Sequence, residues 1–264
     1  MSKRLTLAAV AVGVGASFLA FSNLPKLAAD EPRDSLSSEQ EAAVKALIAD
    51  YIEQNPEAIF EALNKYAEAE EAREAKRMEQ ARSEAVPFLI SDEGAFTAGA
   101  NTPEAKVAVV EFFDYHCGFC KRANGLVREL TASDPDVKVV FRELPILKEE
   151  SEIAARFALA ARDQDKYLDL HFALMGERGT LTEERILNIA EKEGLDVAKL
   201  KKAANKTDVK SAIADNYKVA GEIGVDGTPG FIIASVDGSY VELIPGFRKE
   251  DIQAAITEAK KSMS

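Results

Sequence analysis

Hydrophobic positions change period several times along the chain, and each change marks an element. From Ser38, a helical face recurs at Val44, Leu47, Ile48, Tyr51 and Ile52, with the spacing i, i+3, i+4, i+7, i+8. Glu41 stands three residues after Ser38, as in a capping box. Asn55 followed by Pro56 predicts a fresh start, with Asn as N-cap and Pro in the first helical position. Ile59, Phe60, Leu63 and Tyr66 share one face of this second helix. Beyond Ala67 the pattern turns to alanine and charge. Glu70–Arg73, Glu74–Arg77 and Glu79–Arg82 have the i,i+3 spacing of ion pairs on an exposed helix. Two helices alone bury too little to be stable in water. Their apolar stripe therefore predicts a covering, either copies of itself or the rest of the chain.

Residues 86–106 read as a loop-rich link with Gly94, Gly99 and Pro103. Val107 to Phe113 is apolar on both faces apart from Glu111, the mark of a buried central strand. Cys117 to Leu130 reads as the following helix, and Val137 to Arg142 as a second strand. From Glu149 to about Gly221 the pattern is helical, with Asp196 and Thr207 as N-caps of later helices. Phe231 to Ala234 and Tyr240 to Ile244 flank a hairpin signal at Asp237-Gly238. Lys249 to Lys261 closes the chain as a helix. One parallel pair and one antiparallel hairpin, with helices on the faces, make an α/β layer architecture carrying a helical insertion.

The net charge of -12 argues against phosphate backbones as partners, so no nucleic acid is expected. Lys3 and Arg4 precede an uncharged apolar run from Leu5 to Phe21, followed by small residues. This is the pattern of a secretory signal peptide over residues 1–29, an uncleaved membrane anchor being the alternative. Residues 22–37 read as a polar tether. Export places the two cysteines, Cys117 and Cys120, where disulfides form. A bridge between residues three apart closes too short a loop to act as a staple, so a redox role fits better. A metal needs three or four ligands, and His116 and His171 lack the usual spacing, so neither metal nor cofactor is expected.

The chemistry concentrates at the strand-to-helix junction from Glu111 to Lys121. A helix N-terminus offers free amide N–H groups and about half a positive charge. Cys117 at that place is the expected thiolate nucleophile, and Cys120, one turn deeper, the expected resolving thiol. Glu111, in an otherwise apolar strand, is expected to have a raised pKa and to shuttle a proton. An acid at the strand edge paired with a lysine is the alternative. His116 either stabilises the thiolate as a cation or lies exposed. His171, among Leu168, Leu170, Phe172 and Leu174, is expected as a packed core or boundary histidine.

On these residues the chain resembles the DsbA-like periplasmic disulfide oxidoreductases. It looks most like their subgroup with an N-terminal helical extension, which includes the trimeric ScsC-type and the Com1-like proteins. The stretches that carry the resemblance are Tyr51 to Glu57, Val109 to Lys121, Phe141 to Leu147 and Gly224 to Gly230. The resemblance implies a thioredoxin-like fold over residues 90–264, with its helical insertion at about 149–221, preceded by a helical arm over 38–84. It implies that Thr228-Pro229 is a cis-proline loop facing the cysteines, where an extended substrate segment pairs with the backbone. It also implies that Glu111 serves Cys120. The implied partners are unfolded or misoxidised secreted proteins, an inner-membrane redox protein and further copies of the chain, a trimer in the subgroup, held through residues 39–83. The implied place is the periplasm.

One departure is the pair between the cysteines, Gly118-Phe119, where the strongly oxidising prototype has Pro-His. The missing histidine removes one source of thiolate stabilisation, which makes the couple less oxidising. The expected activity is therefore protein disulfide isomerisation or reduction. A monomeric dithiol oxidase is the alternative. A periplasmic metal-binding or scaffold protein is the alternative from another class.

Overall fold

The computed structural model describes residues 36–100 and 104–263. The expected signal peptide lies outside the described residues. Two compact units divide the chain at residue 65. In the first, helix α1 (Ser38–Gln54) starts one residue earlier in its capping than the sequence suggested: Ser37, not Ser38, is the N-cap. Ser37 Oγ accepts from Gln40 N and Gln40 Oε1 accepts from Ser37 N, so Gln40 closes the box that Glu41 was expected to close. Asn55 breaks the chain as expected, but its side-chain amide turns back and donates to Tyr51 O, sealing the end of α1. Helix α2 begins at Pro56 and runs to Leu89. No residue of α1 is buried, and Val44, Leu47, Ile48, Tyr51, Ile52, Ile59, Phe60 and Leu63 are all exposed.

In the second unit the end of α2 belongs to the core through Val86 and Leu89. Glu70–Arg73 and Glu74–Arg77 pair at 2.6 Å. Arg82 instead donates to Ile223 O at 3.2 Å, because α2 there lies against another element of the unit. The link after α2 contains a strand that was not expected, β1 (Phe96–Gly99), paired antiparallel with β3 (Val137–Glu143). Four residues with a single Thr and a terminal Gly carry too little β-branched signal to announce an edge strand.

Strand β2 (Val107–Phe113) runs parallel to β3 and antiparallel to β4 (Gly230–Ser235), and β5 (Val241–Pro245) pairs with β4. The sheet order is β1-β3-β2-β4-β5. Every residue of β2, β3 and β4 is buried, as a sheet covered on both faces requires. Val107, Val109 and Phe113 of β2 face the larger core, with α3 (Gly118–Ser133) and α9 (Lys249–Ser262). Val110 and Phe112 face the smaller one, with Leu89 of α2 and Val219, Ala220 and Ile223 of α8 (Thr207–Ile223).

Between β3 and β4 the chain is helical: α4 (Glu149–Ala160), a short 3-10 turn, α5 (Tyr167–Gly176), α6 (Glu183–Lys192), α7 (Val197–Ala203) and α8. Asp196 caps α7 as expected, its side chain accepting from Lys199 N. Thr207 is not a cap: Lys206 precedes the helix and Thr207 is its first residue. Thr182 caps α6. This is the thioredoxin-like α/β fold with a helical insertion and N-terminal helices.

Successive residues of β3 reach opposite sides of the sheet. The buried Arg142 guanidinium donates to the carbonyls of Phe88, Leu89, Ser91 and Glu93 and to Asn216 Oδ1. It thereby caps the C-terminal end of α2, where orphan carbonyls and the helix dipole favour a cation. Glu143 lies on the other side, beneath the site described next.

Candidate active site

Strand β2 ends at Phe113, and a tight turn follows. Cys117 N donates to Asp114 O at 3.0 Å, and Asp114 Oδ1 accepts from His116 N at 2.7 Å. The turn delivers Cys117 as the N-cap residue of α3, with Gly118 opening the helix. Cys117 and Cys120 are both thiols, 6% and 1% exposed. Phe119 between them is 56% exposed, with the Arg122 guanidinium 3.8 Å above its ring.

The register of β4 against β2 brings the second half of the site into place. Gly230 pairs with Phe112, so the two residues before it stand beside the turn that carries Cys117. The Thr228-Pro229 peptide is cis. Cys117 Sγ donates to Thr228 O at 3.0 Å. A side chain at Gly230 would force its surroundings to shift, since a Cβ there would lie 2.7 Å from Val225 Cγ1. A shallow cavity lined by Val225, Pro229, Leu243, Pro245 and other loop residues opens beside the proline.

The two thiols are pushed in opposite directions. Cys117 is held down at about 5, chiefly by the hydrogen bond that the Cys120 side chain offers it. The amides of Cys120 and Phe119 and the Thr228 hydroxyl add to this, while burial works against it. Thr228 Oγ1 is buried with no other partner. Cys120 is pushed well above the ordinary thiol value, first by burial, then by its bond to Cys117 and by Glu111. Glu111 is buried, not at an edge with a lysine, and Oε1 has no hydrogen-bond partner. Burial raises its carboxyl to about 8, helped by the charge on Cys117. The arrangement offers one ready nucleophile, one protonated thiol behind it, and a carboxyl able to exchange a proton near neutral pH.

His116 fits neither expectation. Its side chain is only 4% exposed, and both ring nitrogens are bonded, Nδ1 to Ser151 Oγ at 2.9 Å and Nε2 to Leu181 N at 3.0 Å. Burial holds its pKa below the ordinary value, so it is not a standing cation. His171 is packed among Phe113, Phe141 and Phe172, with its pKa lowered to about 3 by burial and by Arg128.

Sequence reasoning overlooked the buried network beneath the turn. Glu143 Oε1 accepts from Tyr115 Oη and from Tyr167 Oη, both at 3.0 Å, and Tyr115 Oη also meets His171 Nδ1 at 3.1 Å. An acid closing an otherwise buried strand was the available signal, the same one that singled out Glu111. Lys121 was also overlooked. Its ammonium binds the carbonyls of Leu174, Met175 and Glu177 at the end of α5.

Comparison with known proteins agrees with this geometry. Residues 108–257 match the DSBA-like thioredoxin domain. A thioredoxin-like oxidoreductase from Silicibacter pomeroyi is 42% identical, with a TM-score of 0.60 over 66% of this chain and 96% of that one. The catalytic domain of Proteus mirabilis ScsC is 25% identical, with a TM-score of 0.60 over 69% and 98%. A periplasmic thioredoxin-like protein from Salmonella enterica serovar Typhimurium is 29% identical, with a TM-score of 0.57 over 68% and 96%. Among curated proteins, Na(+)/H(+) antiporter NhaA 1 of Salinispora arenicola is 31% identical over 160 residues. That match takes 59% of this chain and 24% of the antiporter, so the chain spans about a quarter of that relative's length. Among the described residues no helix is long and apolar enough to cross a membrane. With a C-x-x-C pair opening α3 opposite a cis Thr-Pro, and a domain match over more than half its length, the chain belongs to the DsbA-like thioredoxin-domain family of thiol–disulfide oxidoreductases.

Proposed function

We propose that this protein exchanges disulfides with secreted proteins in the periplasm, acting as an isomerase or reductase, with Cys117 as nucleophile and Cys120 as resolving thiol. The observation that carries the reading is the Cys117 thiol at the head of α3, its pKa lowered to about 5, facing the cis Thr228-Pro229 backbone. Cys117 thiolate attacks a partner disulfide, one partner sulfur leaves as thiolate, and a mixed disulfide remains. Cys120 then attacks Cys117 Sγ, giving its proton to Glu111, and the second partner sulfur leaves. The partner is reduced by two electrons and the Cys117–Cys120 pair is oxidised. The Thr228 backbone and the cavity beside Pro229 hold the extended partner segment. An inner-membrane redox protein returns the pair to its working state.

The exposed stripe from Val44 to Leu63 supports assembly into a homo-oligomer through residues 39–83, a trimer by analogy with the subgroup. Several active sites on one assembly suit isomerisation. The test is reduction of insulin and refolding of scrambled ribonuclease by the full chain, beside its mass in solution. Cys117→Ala should abolish both activities. Leu47→Lys with Phe60→Lys should give a monomer that keeps reductase activity and loses isomerase activity. Full activity in Cys117→Ala sinks the enzymatic reading, and a monomeric wild-type chain sinks the assembly.

A dithiol oxidase is the second reading, favoured by the low Cys117 pKa, since a stabilised thiolate makes the couple more oxidising. The glutathione equilibrium of the Cys117–Cys120 pair separates the two. For the metal-binding alternative, the described residues contain no group of three or more His, Cys, Asp or Glu side chains placed to hold an ion.

A further inference from the structure

His116 and Lys121 bracket the cysteine pair, and both grip the same stretch of the helical insertion. Lys121 Nζ binds the carbonyls of Leu174, Met175 and Glu177, the last at 2.7 Å. His116 Nε2 lies 3.0 Å from the backbone nitrogen of Leu181. A backbone N–H can only donate, so Nε2 is the acceptor and carries no hydrogen. In the neutral ring the hydrogen then sits on Nδ1, which faces Ser151 Oγ at 2.9 Å. Ser151 Oγ donates onward to Asp114 Oδ1 at 2.8 Å. The same oxygen accepts from His116 N, and Asp114 Oδ2 accepts from Leu147 N at 2.9 Å.

Every hydrogen in the chain Leu181–His116–Ser151–Asp114 is thereby placed. A protonated ring would set its own N–H against the amide of Leu181, and that bond would be lost. Asp114 and Glu150 favour the cation, Lys148 and Lys121 oppose it, and burial tips the ring to neutral.

We propose that His116 is an uncharged positioning residue, which fastens the turn ahead of Cys117 to the helical insertion at Leu181 and so fixes the sulfur against the Thr228 carbonyl without lending it a positive charge. The proposal rests on Cys117 being the nucleophile. It departs from the usual electrostatic part of a histidine beside a thiolate, since the stabilisation comes from the Cys120 hydrogen bond and the amides at the start of α3.

Two measurements on the reduced full chain test it. Long-range 1H–15N correlation at about pH 7 should show a pyrrole-type Nδ1 and a pyridine-type Nε2 for His116. The opposite tautomer, or an imidazolium, overturns the proposal, and this readout needs no turnover. The second is the thiolate absorbance of Cys117 and its exchange rate with glutathione disulfide. His116→Ala should slow exchange by about tenfold through misplacement of the sulfur. His116→Gln, whose amide oxygen can take the Leu181 bond, should restore the rate to within about threefold and leave the thiolate midpoint where it is in the wild type. An undiminished rate in His116→Ala, or a midpoint raised equally by both variants, overturns it. A wild-type chain inert toward glutathione disulfide sinks the reading of Cys117 and this proposal together, whereas a wrong tautomer sinks the proposal alone.

Discussion

Cys117 Sγ lies 3.0 Å from the carbonyl oxygen of Thr228, a residue 111 positions further along the chain. The thiol donates to that oxygen and a thiolate cannot. Ionisation therefore frees the Thr228 carbonyl, and it lets the otherwise unpartnered Thr228 hydroxyl turn its hydrogen toward the sulfur. The same event that arms the nucleophile thus opens the Thr228 carbonyl as an acceptor.

Alkylation of Cys117 by iodoacetamide should follow a midpoint at about 5. Cys120→Ala removes the largest stabilising contact and should raise that midpoint, by about one unit or more, as charge-assisted hydrogen bonds contribute about 1.5–3 kcal/mol. An unchanged midpoint would show that the helix amides and the Thr228 hydroxyl suffice.

The same shift links stability to pH. The folded pKa of Cys117 is depressed below its unfolded value, so its contribution is complete above the unfolded value and is lost as pH falls through about 5. Reduced wild-type protein should therefore lose its advantage over Cys117→Ser as the pH is lowered across that window. Thermal melts of both proteins over a pH series check it.

Glu111 behaves in the opposite sense. Its folded pKa is raised from 4.5 to about 8, so its contribution is complete below about 4.5 and is lost as pH rises through about 8. Glu111→Gln should match wild type in acid and be more stable, by about 2–4 kcal/mol, in mild base. It should also slow release of the mixed disulfide by about 10²-fold, the lower range of general acid–base contributions. Urea titrations and single-turnover release of a labelled peptide read the two effects.

Arg142→Met should destabilise the domain by about 3–5 kcal/mol, because it strips a buried charge from four carbonyls and Asn216. Arg142→Lys should rescue little, since one ammonium cannot span the fork of a guanidinium. Hydrogen exchange should rise first over residues 86–95.

Much of the fold was legible because its strands are long and fully covered. Val107 to Phe113 is apolar throughout apart from Glu111, and it is the central strand. β1 was not legible, since Phe96–Gly99 owes its conformation to the neighbouring edge of β3 rather than to its own residues. Helix ends slipped by one residue at Ser37, where adjacent serines compete for the cap, and at Lys206, which precedes its helix without a side-chain cap. In the site, Cys117, Cys120 and Glu111 announced themselves by spacing and by contrast with their strand. Asp114, Ser151 and Leu181 could not, because three separate segments meet around His116 only after folding. The network of Tyr115, Tyr167, His171 and Glu143 is hidden for the same reason.

Cys120 is 1% exposed, sealed under its neighbour. On the proposed reading, release of a captured polypeptide by Cys120 then runs on a clock kept inside the protein, since the resolving sulfur meets nothing from outside. The dwell time of a client would then follow how readily one hidden proton moves, and a change at that depth should alter residence without touching the surface that a client meets.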